Sequence, residues 1–320
     1  MNGPMHTNGP AHTNGPAHTN GPAHTNGPAH LQGAEAPSGA PAVQVRNVWR
    51  QFARRKSSPF AKPATVDALT DVSLTIARGS RFGIVGESGS GKTTLMRLMA
   101  GLDQPTRGTV HVSGTDITGL RETELGFLRR SLQIVFQDPM GSLDPRMRVR
   151  DIIAEPLQVQ HISGIDAAVA TALDQVGLPA SAGRRYPHQF SGGQRQRISI
   201  ARAIAPDPDI LLADEAVSAL DVTVRAQILS LLEAIAVERG LTLIFVSHDL
   251  AVVRRVCDHV AVLKDGAVVE TGPTEELYRS PVENYTRDLL AAVPTLAKGL
   301  AAAAARQHER VAGGRAGSGS

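Results

Sequence analysis

The most constraining feature of this 320-residue sequence is a glycine-rich loop, GESGSGKT, at residues 86–93. The loop fits the pattern G-x-x-x-x-G-K-[ST]. It follows the apolar run FGIV at 82–85, which predicts a strand, and it precedes a helical pattern at 93–100. A strand entering such a loop and a helix leaving it let backbone N–H groups surround phosphates at the helix N-terminus. The segment therefore predicts a site for nucleotide phosphates.

The loop residues have separate expected tasks. The glycines let the backbone turn inward, Lys92 places a positive charge between the β- and γ-phosphates, and the Thr93 hydroxyl is suited to Mg²⁺. Thr94 lies in the first helical turn, where the helix dipole favours an anion. The candidate phosphate-binding residues are Gly86, Glu87, Ser88, Gly89, Ser90, Gly91, Lys92, Thr93 and Thr94.

Other short apolar runs predict the sheet around this loop. RFGIVG, LQIVFQ, DILLADE and LTLIFVSH are nearly continuous, as parallel strands buried on both faces are, and helical patterns such as 222–239 separate several of them. VQVRNVWRQF and GTVHVSGTDI alternate apolar and polar residues and predict half-buried strands. AVLKDGAVVETG predicts a hairpin that turns at Asp265-Gly266. Residues 138–205 lack such runs and predict a separate helical lobe. The fold class is therefore α/β.

Polar side chains follow three of the predicted buried strands. Asp214 and Glu215 end one strand, His248 ends another, and Gln137 ends a third. Asp214 is expected to hold Mg²⁺ and Glu215 to orient the water that attacks the γ-phosphate. His248 is expected near the γ-phosphate, and the Gln137 amide is expected to contact both Mg²⁺ and that water.

Composition and the chain ends exclude several classes of protein. A net charge of +3 is too small for a nucleic-acid-binding footprint, and a single cysteine, Cys257, excludes a disulfide framework. No apolar run is long enough to span a membrane. Residues 1–42 carry an HTNGPA repeat and are expected to be disordered, as is a flexible tail at 299–320. The evenly spaced histidines of the repeat suggest transition-metal binding, but we favour a repeat tail without function.

A second glycine motif, FSGGQRQRISIARA at 190–203, begins like another anion site. Ser191 is a good N-cap, and the two glycines after it leave the helix N-terminus open. With the loop at 86–93 and the polar strand ends, this SGGQ motif resembles the signature of ATPase subunits of ABC transporters. The resemblance covers about residues 43–296. One position departs from the family pattern, since Ala216 stands where a proline usually follows the two acids.

This resemblance implies the rest of the architecture and the site. The fold would be a P-loop NTPase (RecA-like) core with an antiparallel β subdomain and an inserted α-helical subdomain at about 138–205. The ATPase domain would span 43–272, followed by a C-terminal region at 273–298. ATP and Mg²⁺ would be the cofactors, and the signature would bind the γ-phosphate of ATP held by a partner subunit. The additional nucleotide-binding residues implied are Phe52, stacking on adenine, Ser191, Gly192, Gly193, Gln194, and Asp221 of the interface loop SALD.

Finer patterns resemble one importer branch of the family. FQDPMGSLDPRMRV, YPHQFSGGQRQRISIARA and SPVENYTRDLLAAVP are similar to the ATPases of oligopeptide, dipeptide and nickel importers, although the usual HPYT core reads ENYT here. The expected partners are a second ATPase subunit (a heterodimer preferred over a homodimer), two transmembrane permease subunits and, indirectly, an extracellular binding protein. The expected location is the cytoplasmic face of the inner membrane. The alternatives are a nickel importer of the same branch and a non-transport ABC ATPase that acts on nucleic acid.

Overall fold

The structure is a computed structural model that describes residues 39–53 and 65–292. The histidine repeat of the expected 1–42 tail and the whole expected 299–320 tail lie outside the described residues. Within the described part of the chain, no helix is both long and apolar enough to cross a bilayer.

The described strands form two sheets. One is antiparallel, with the order β2-β1-β4-β5, and the other has the order β10-β9-β3-β8-β7-β6 and is parallel except for β10. The strands are β1 (Val43–Ala53), β2 (Thr65–Ile76), β3 (Arg81–Val85), β4 (Arg107–Val112), β5 (Thr115–Asp116), β6 (Leu132–Val135), β7 (Ile210–Asp214), β8 (Thr242–Ser247), β9 (His259–Lys264) and β10 (Ala267–Pro273).

Helices follow most of the parallel strands, and residues 139–204 contain helices, 3₁₀ turns and loops but no strand. The α-helices are α1 (Lys92–Met99), α2 (Gly126–Ser131), α3 (Pro139–Ser142), α4 (Val149–Val159), α5 (Ile165–Gln175), α6 (Gly192–Ile204), α7 (Val222–Arg239), α8 (Leu250–Val256), α9 (Thr274–Arg279) and α10 (Asn284–Ala292). Short 3₁₀ turns lie at Glu122–Glu124, Ala180–Arg184 and Pro187–Gln189. The expected α/β fold class, with an antiparallel sheet and an inserted helical part, is confirmed.

The central sheet separates two hydrophobic cores. Alternate residues of a strand point to opposite faces, so Leu211 and Phe245 pack with α6, α7 and α8, while Leu212 and Ile244 pack with α1 and the antiparallel sheet. These strands are therefore buried on both faces, which explains why their sequences read as continuous apolar runs. Because β3, β8, β7 and β6 pair in parallel, their carboxyl ends lie at one edge of the sheet.

Local chemistry sets where the site-bearing helices begin and end. Ser191 caps α6 in a reciprocal capping box with Gln194, and Asp221 caps α7 by accepting from the Val224 N–H. Helix α7 ends at Gly240, whose φ of 61° suits a left-handed C-cap. The predicted hairpin turn at Asp265-Gly266 is present between β9 and β10, with both residues at positive φ.

Candidate functional site

The polar groups expected at the strand ends share one edge of the central sheet. The adjacent order β3-β8-β7-β6 places side by side the loop after β3, His248 after β8, Asp214 and Glu215 at the end of β7, and Gln137 after β6. The register confirms that the ends are level, because Asp214 pairs with Val246 and Val85 with Ser247. Ligands of open α/β sheets bind at this carboxyl edge.

The loop at 86–93 is a backbone cradle. Gly86, Gly89 and Gly91 have φ values of 156°, 84° and 101°, which glycine adopts readily. A Cβ at Gly86 would lie 2.2 Å from the Leu263 carbonyl oxygen, whereas a Cβ at Gly89 would meet no atom within 4 Å. The loop is therefore packed tightly against β9 at its start and open at its middle, where an anion can approach.

Lys92 is buried at the base of this cradle. Its ammonium donates to the carbonyl oxygens of Gly86 at 2.8 Å and Glu87 at 2.7 Å. Burial lowers the pKa of Lys92, and the nearby carboxylates of Glu215 and Asp214 act in the opposite direction. The ammonium is thus held by the backbone at the start of the loop, within charge range of two acids.

The two acids at the end of β7 have different surroundings. Burial raises the pKa of Asp214, the charge of Glu215 raises it further, and Lys92 lowers it. Glu215 has a φ of 43°, and its backbone N–H donates to the Val246 carbonyl oxygen at 2.9 Å. Its carboxylate lies 3.0 Å from Nδ1 of His248. The positive φ of Glu215 is a strained backbone conformation, and it directs the Glu215 side chain toward His248 after β8 rather than along β7.

Gln137 and the loop after Glu215 meet at the same edge. The Gln137 amide donates to the Ser218 hydroxyl at 3.3 Å. Three residues further on, Asp221 uses its carboxylate to cap α7, at 2.9 Å from the Val224 nitrogen. Ser218 and Asp221 are the first and last residues of SALD, so this loop links the Gln137 strand end to helix α7.

The SGGQ segment forms an exposed helix start. The Ser191 hydroxyl accepts from the Gln194 N–H at 3.4 Å, and the Gln194 side chain accepts from the Ser191 N–H at 3.0 Å. Gly192 is exposed, with Leu220 as its nearest side chain, but a Cβ at Gly193 would lie 2.4 Å from Val224. Gly193 therefore allows α6 to pack on α7, a role that the sequence motif did not indicate.

Phe52 lies near the end of β1 and is 40% exposed. The Arg50 guanidinium stacks 4.3 Å from its ring centroid and is itself paired with both carboxylate oxygens of Asp103. The ring is therefore an exposed aromatic surface supported by a fixed cation, which is suitable for stacking on a planar base.

The oxygen donors at this edge fit a magnesium ion. Mg²⁺ in nucleotide sites takes one or two protein oxygens together with phosphate oxygens and water. The Thr93 hydroxyl is exposed in the first turn of α1, and the half-buried Asp214 carboxylate is in charge range of Lys92, the residue before Thr93. A carboxylate whose pKa is raised by a second acid gains from a nearby cation.

Sequence reasoning missed two contacts that support the loop. The Gly266 N–H of the β9–β10 turn donates to the Ser90 carbonyl oxygen at 3.1 Å. The Tyr285 hydroxyl of α10 accepts from the Glu87 N–H at 3.1 Å. Both partners are remote in sequence from the loop, and no local pattern marks them.

The strand order and the loop after β3 place this molecule among the P-loop nucleotide-binding proteins. The family model described as ABC transporter matches residues 69–218. A putative peptide import ATP-binding protein of Brucella ovis is 46% identical over 259 residues, covering 80% of this chain and 79% of the relative. The chain belongs to the ABC transporter family, as an ATPase subunit, which confirms the resemblance read from its motifs.

Further relatives agree with this assignment. The oligopeptide transport ATP-binding protein OppF of Streptococcus mutans is 44% identical over 79% of this chain and 81% of its own. Among solved structures, the ATP-binding cassette MJ0796, a dimer in a post-hydrolysis state bound to ADP and phosphate, is 32% identical. It has a TM-score of 0.64 and covers 72% of this chain and 98% of its own.

Proposed function

We propose that this chain is the ATP-hydrolysing subunit of a peptide importer and that it uses the strand-end site to do so. The observation that carries the proposal is the Glu215–His248 pair, 3.0 Å apart, at the same sheet edge as the loop that buries Lys92. A carboxylate and an imidazole held together beside a phosphate cradle are suited to orienting a water for attack on the γ-phosphate.

The residues have distinct proposed roles. Lys92 neutralises the β- and γ-phosphates within the loop at 86–93, Thr94 follows in the first turn of the helix, and Phe52 stacks on adenine. Glu215 orients and polarises the attacking water. His248 holds Glu215 and contacts the γ-phosphate, and Gln137 contacts the water from the next strand end. Asp214 and Thr93, together with Gln137, would hold Mg²⁺, which would supply charge neutralisation to the phosphates when bound.

We further propose that the working unit is a dimer of ATPase subunits, with a heterodimer as the first choice. Ser191, Gly192, Gly193 and Gln194 of one subunit would meet the γ-phosphate bound by the other, with Asp221 at the interface. The MJ0796 cassette forms a dimer, and the exposed helix start at Ser191 supports the same arrangement here. Two permease subunits and an extracellular binding protein would complete the importer at the cytoplasmic face of the inner membrane.

Peptides are the proposed cargo. The relatives from Brucella, Bacillus subtilis and Streptococcus are named for peptide or oligopeptide transport. This favours peptides over nickel within the same branch. Uptake of a labelled tripeptide and of nickel ions in cells that lack the chain separates the two: a loss of nickel uptake alone would contradict the peptide assignment.

Two substitutions test the proposed chemistry in the assembled ATPase dimer. Lys92→Ala should weaken ATP binding and abolish turnover, because the charge facing the phosphates is gone. Glu215→Gln should keep ATP binding and lower kcat by at least about 100-fold, because the amide no longer polarises the water. The control is Glu238→Gln, an exposed acid near the end of α7. Turnover at the native rate in Glu215→Gln would contradict the assigned role.

A further inference from the structure

A tyrosine of the C-terminal segment touches the phosphate-binding loop. The Tyr285 hydroxyl, in the first turn of α10, accepts from the Glu87 N–H at 3.1 Å across 198 residues of sequence. Tyr285 is half-buried, and the Lys264 ammonium lies 4.8 Å from its ring centroid. The hydroxyl is therefore fixed at the start of the loop and is not a freely rotating surface group.

The contact reaches Lys92 through a single peptide group. The Glu87 N–H and the Gly86 carbonyl belong to the same planar unit. Its carbonyl oxygen accepts from the Lys92 ammonium at 2.8 Å, while its N–H donates to Tyr285. Tyr285 and Lys92 thus bind the N–H and the C=O of one peptide group. A rotation of that group would break both hydrogen bonds.

The segment that carries Tyr285 is anchored independently of the loop. Glu270 on β10 is only 9% exposed, and its two carboxylate oxygens accept from the N–H groups of Val282 at 2.9 Å and Glu283 at 3.2 Å. Thr286, next to Tyr285, is fully buried. A buried carboxylate with two backbone donors is a strong fixed point, so the position of Tyr285 is set by β10 and not by the loop.

We propose that Tyr285 is a positioning residue for ATP binding. It fixes the Gly86–Glu87 peptide plane, so that the Lys92 ammonium stays aimed into the cradle, and it links the docking of the C-terminal segment to nucleotide affinity. This inference rests on the proposed role of Lys92 in phosphate binding.

The hydroxyl suits this task because it stays neutral. A tyrosine hydroxyl is neutral at physiological pH, and burial raises the pKa of Tyr285 further, so it accepts a hydrogen bond without bringing a negative charge near the phosphates. A carboxylate in the same place would accept the N–H equally well but would repel the nucleotide.

The test compares Tyr285→Phe with Tyr278→Phe in the full chain. Both lose one hydroxyl that bonds to backbone, but Tyr278 donates to the Leu250 carbonyl oxygen at the start of α8 and not to the loop backbone. Affinity is measured by titration with a fluorescent ATP analogue, and turnover by phosphate release from the assembled dimer. Tyr285→Phe should raise the Kd and the KM for ATP roughly two- to tenfold, the effect of losing one neutral hydrogen bond.

The expected pattern separates positioning from general destabilisation. Tyr285→Phe should leave kcat within about twofold, because Glu215 and His248 are untouched, whereas Tyr278→Phe should lower the Tm and leave the Kd unchanged. An unchanged or lower Kd in Tyr285→Phe would overturn the proposal. An equal rise of the Kd in both variants would also overturn it. Lys92→Ala is measured alongside: if it binds ATP normally, the proposed role of Lys92 fails instead.

Discussion

At Asp214 the chain keeps a carboxylate where two effects disfavour its charge. Burial raises the pKa of Asp214, and the neighbouring Glu215 raises it again, while Lys92 compensates only in part. The cost fits a group whose favourable partners, a cation and the phosphates it accompanies, arrive with the nucleotide. The charged Asp214 therefore lowers the free energy of unfolding of the nucleotide-free protein. Such a loss of stability is common at functional sites.

Replacing Asp214 by asparagine should stabilise the nucleotide-free protein and abolish Mg²⁺-dependent hydrolysis. The pKa of Asp214 in the folded state is raised, so its charged form destabilises the fold above that pKa, and this penalty disappears as the pH falls through it. The Tm gain of Asp214→Asn over the native chain should be largest near neutral pH and shrink toward acidic pH. Glu238→Gln, which neutralises an exposed acid near the end of α7, serves as the control. A lower Tm in Asp214→Asn at neutral pH would contradict this account.

At the scale of elements, the β9–β10 hairpin supports the phosphate-binding loop. Gly266 in its turn donates its N–H to the Ser90 carbonyl oxygen, and its own carbonyl accepts from Thr70 of β2 at 2.8 Å. A Cβ at Gly266 would lie 2.9 Å from the Ala68 carbonyl oxygen, and its φ is 80°. The turn thus joins the antiparallel sheet, the hairpin and the loop at one crowded point.

Gly266→Ala should therefore destabilise the protein and weaken ATP binding together. The matched control is Gly164→Ala, which has a similar φ of 72° but no atom within 4 Å of the added Cβ. The control should lose only the backbone strain of a left-handed residue, roughly 1–2 kcal/mol. Gly266→Ala should lose more than this in chemical denaturation and should also raise the Kd for ATP. Equal losses in the two variants would show that crowding at Ala68 has no effect.

The sequence predicts the elements better than the contacts between them. Continuous apolar runs predict the parallel strands, and Glu215 and His248 are each expected near the γ-phosphate, but their direct contact at 3.0 Å is not predicted. The contact of Tyr285 with Glu87 is not predicted either, because the two residues are 198 positions apart and Glu270 fixes the segment that carries Tyr285. The packing of Gly193 on Val224 is likewise not predicted. The motif accounts for a glycine at this position by the close approach of an anion, and it gives no sign of a packing role.

At the scale of the whole molecule, the chain carries two helix starts suited to anions, and their surroundings differ. The loop before α1 is enclosed by β9, the hairpin turn and α10, whereas Ser191 and Gly192 before α6 are exposed. The nearest side chain to Gly192 is that of Leu220, which belongs to the SALD loop. An exposed anion site next to the proposed interface loop is suited to a phosphate bound by another subunit. This is the basis of the proposed composite sites, in which each ATP would contact the loop at 86–93 of one subunit and the SGGQ segment of the other.

Gly192→Asp tests the composite site without disturbing the monomer. A Cβ at Gly192 would have only Leu220 nearby, at 3.9 Å, and an acid in the first turn stabilises its own helix. Gly193→Asp is unsuitable, because it would clash with Val224. ATP binding by the isolated subunit should stay unchanged, while turnover of the assembled dimer should fall at least about tenfold, since the new charge repels the arriving γ-phosphate.

The control is Gly192→Asn, which has equal size and no charge and should retain more activity. In a mixed dimer, the damaged site should be the one whose Lys92 equivalent belongs to the other subunit. Weaker ATP binding by the Gly192→Asp monomer would instead place this helix start at the chain's own nucleotide and refute the composite site.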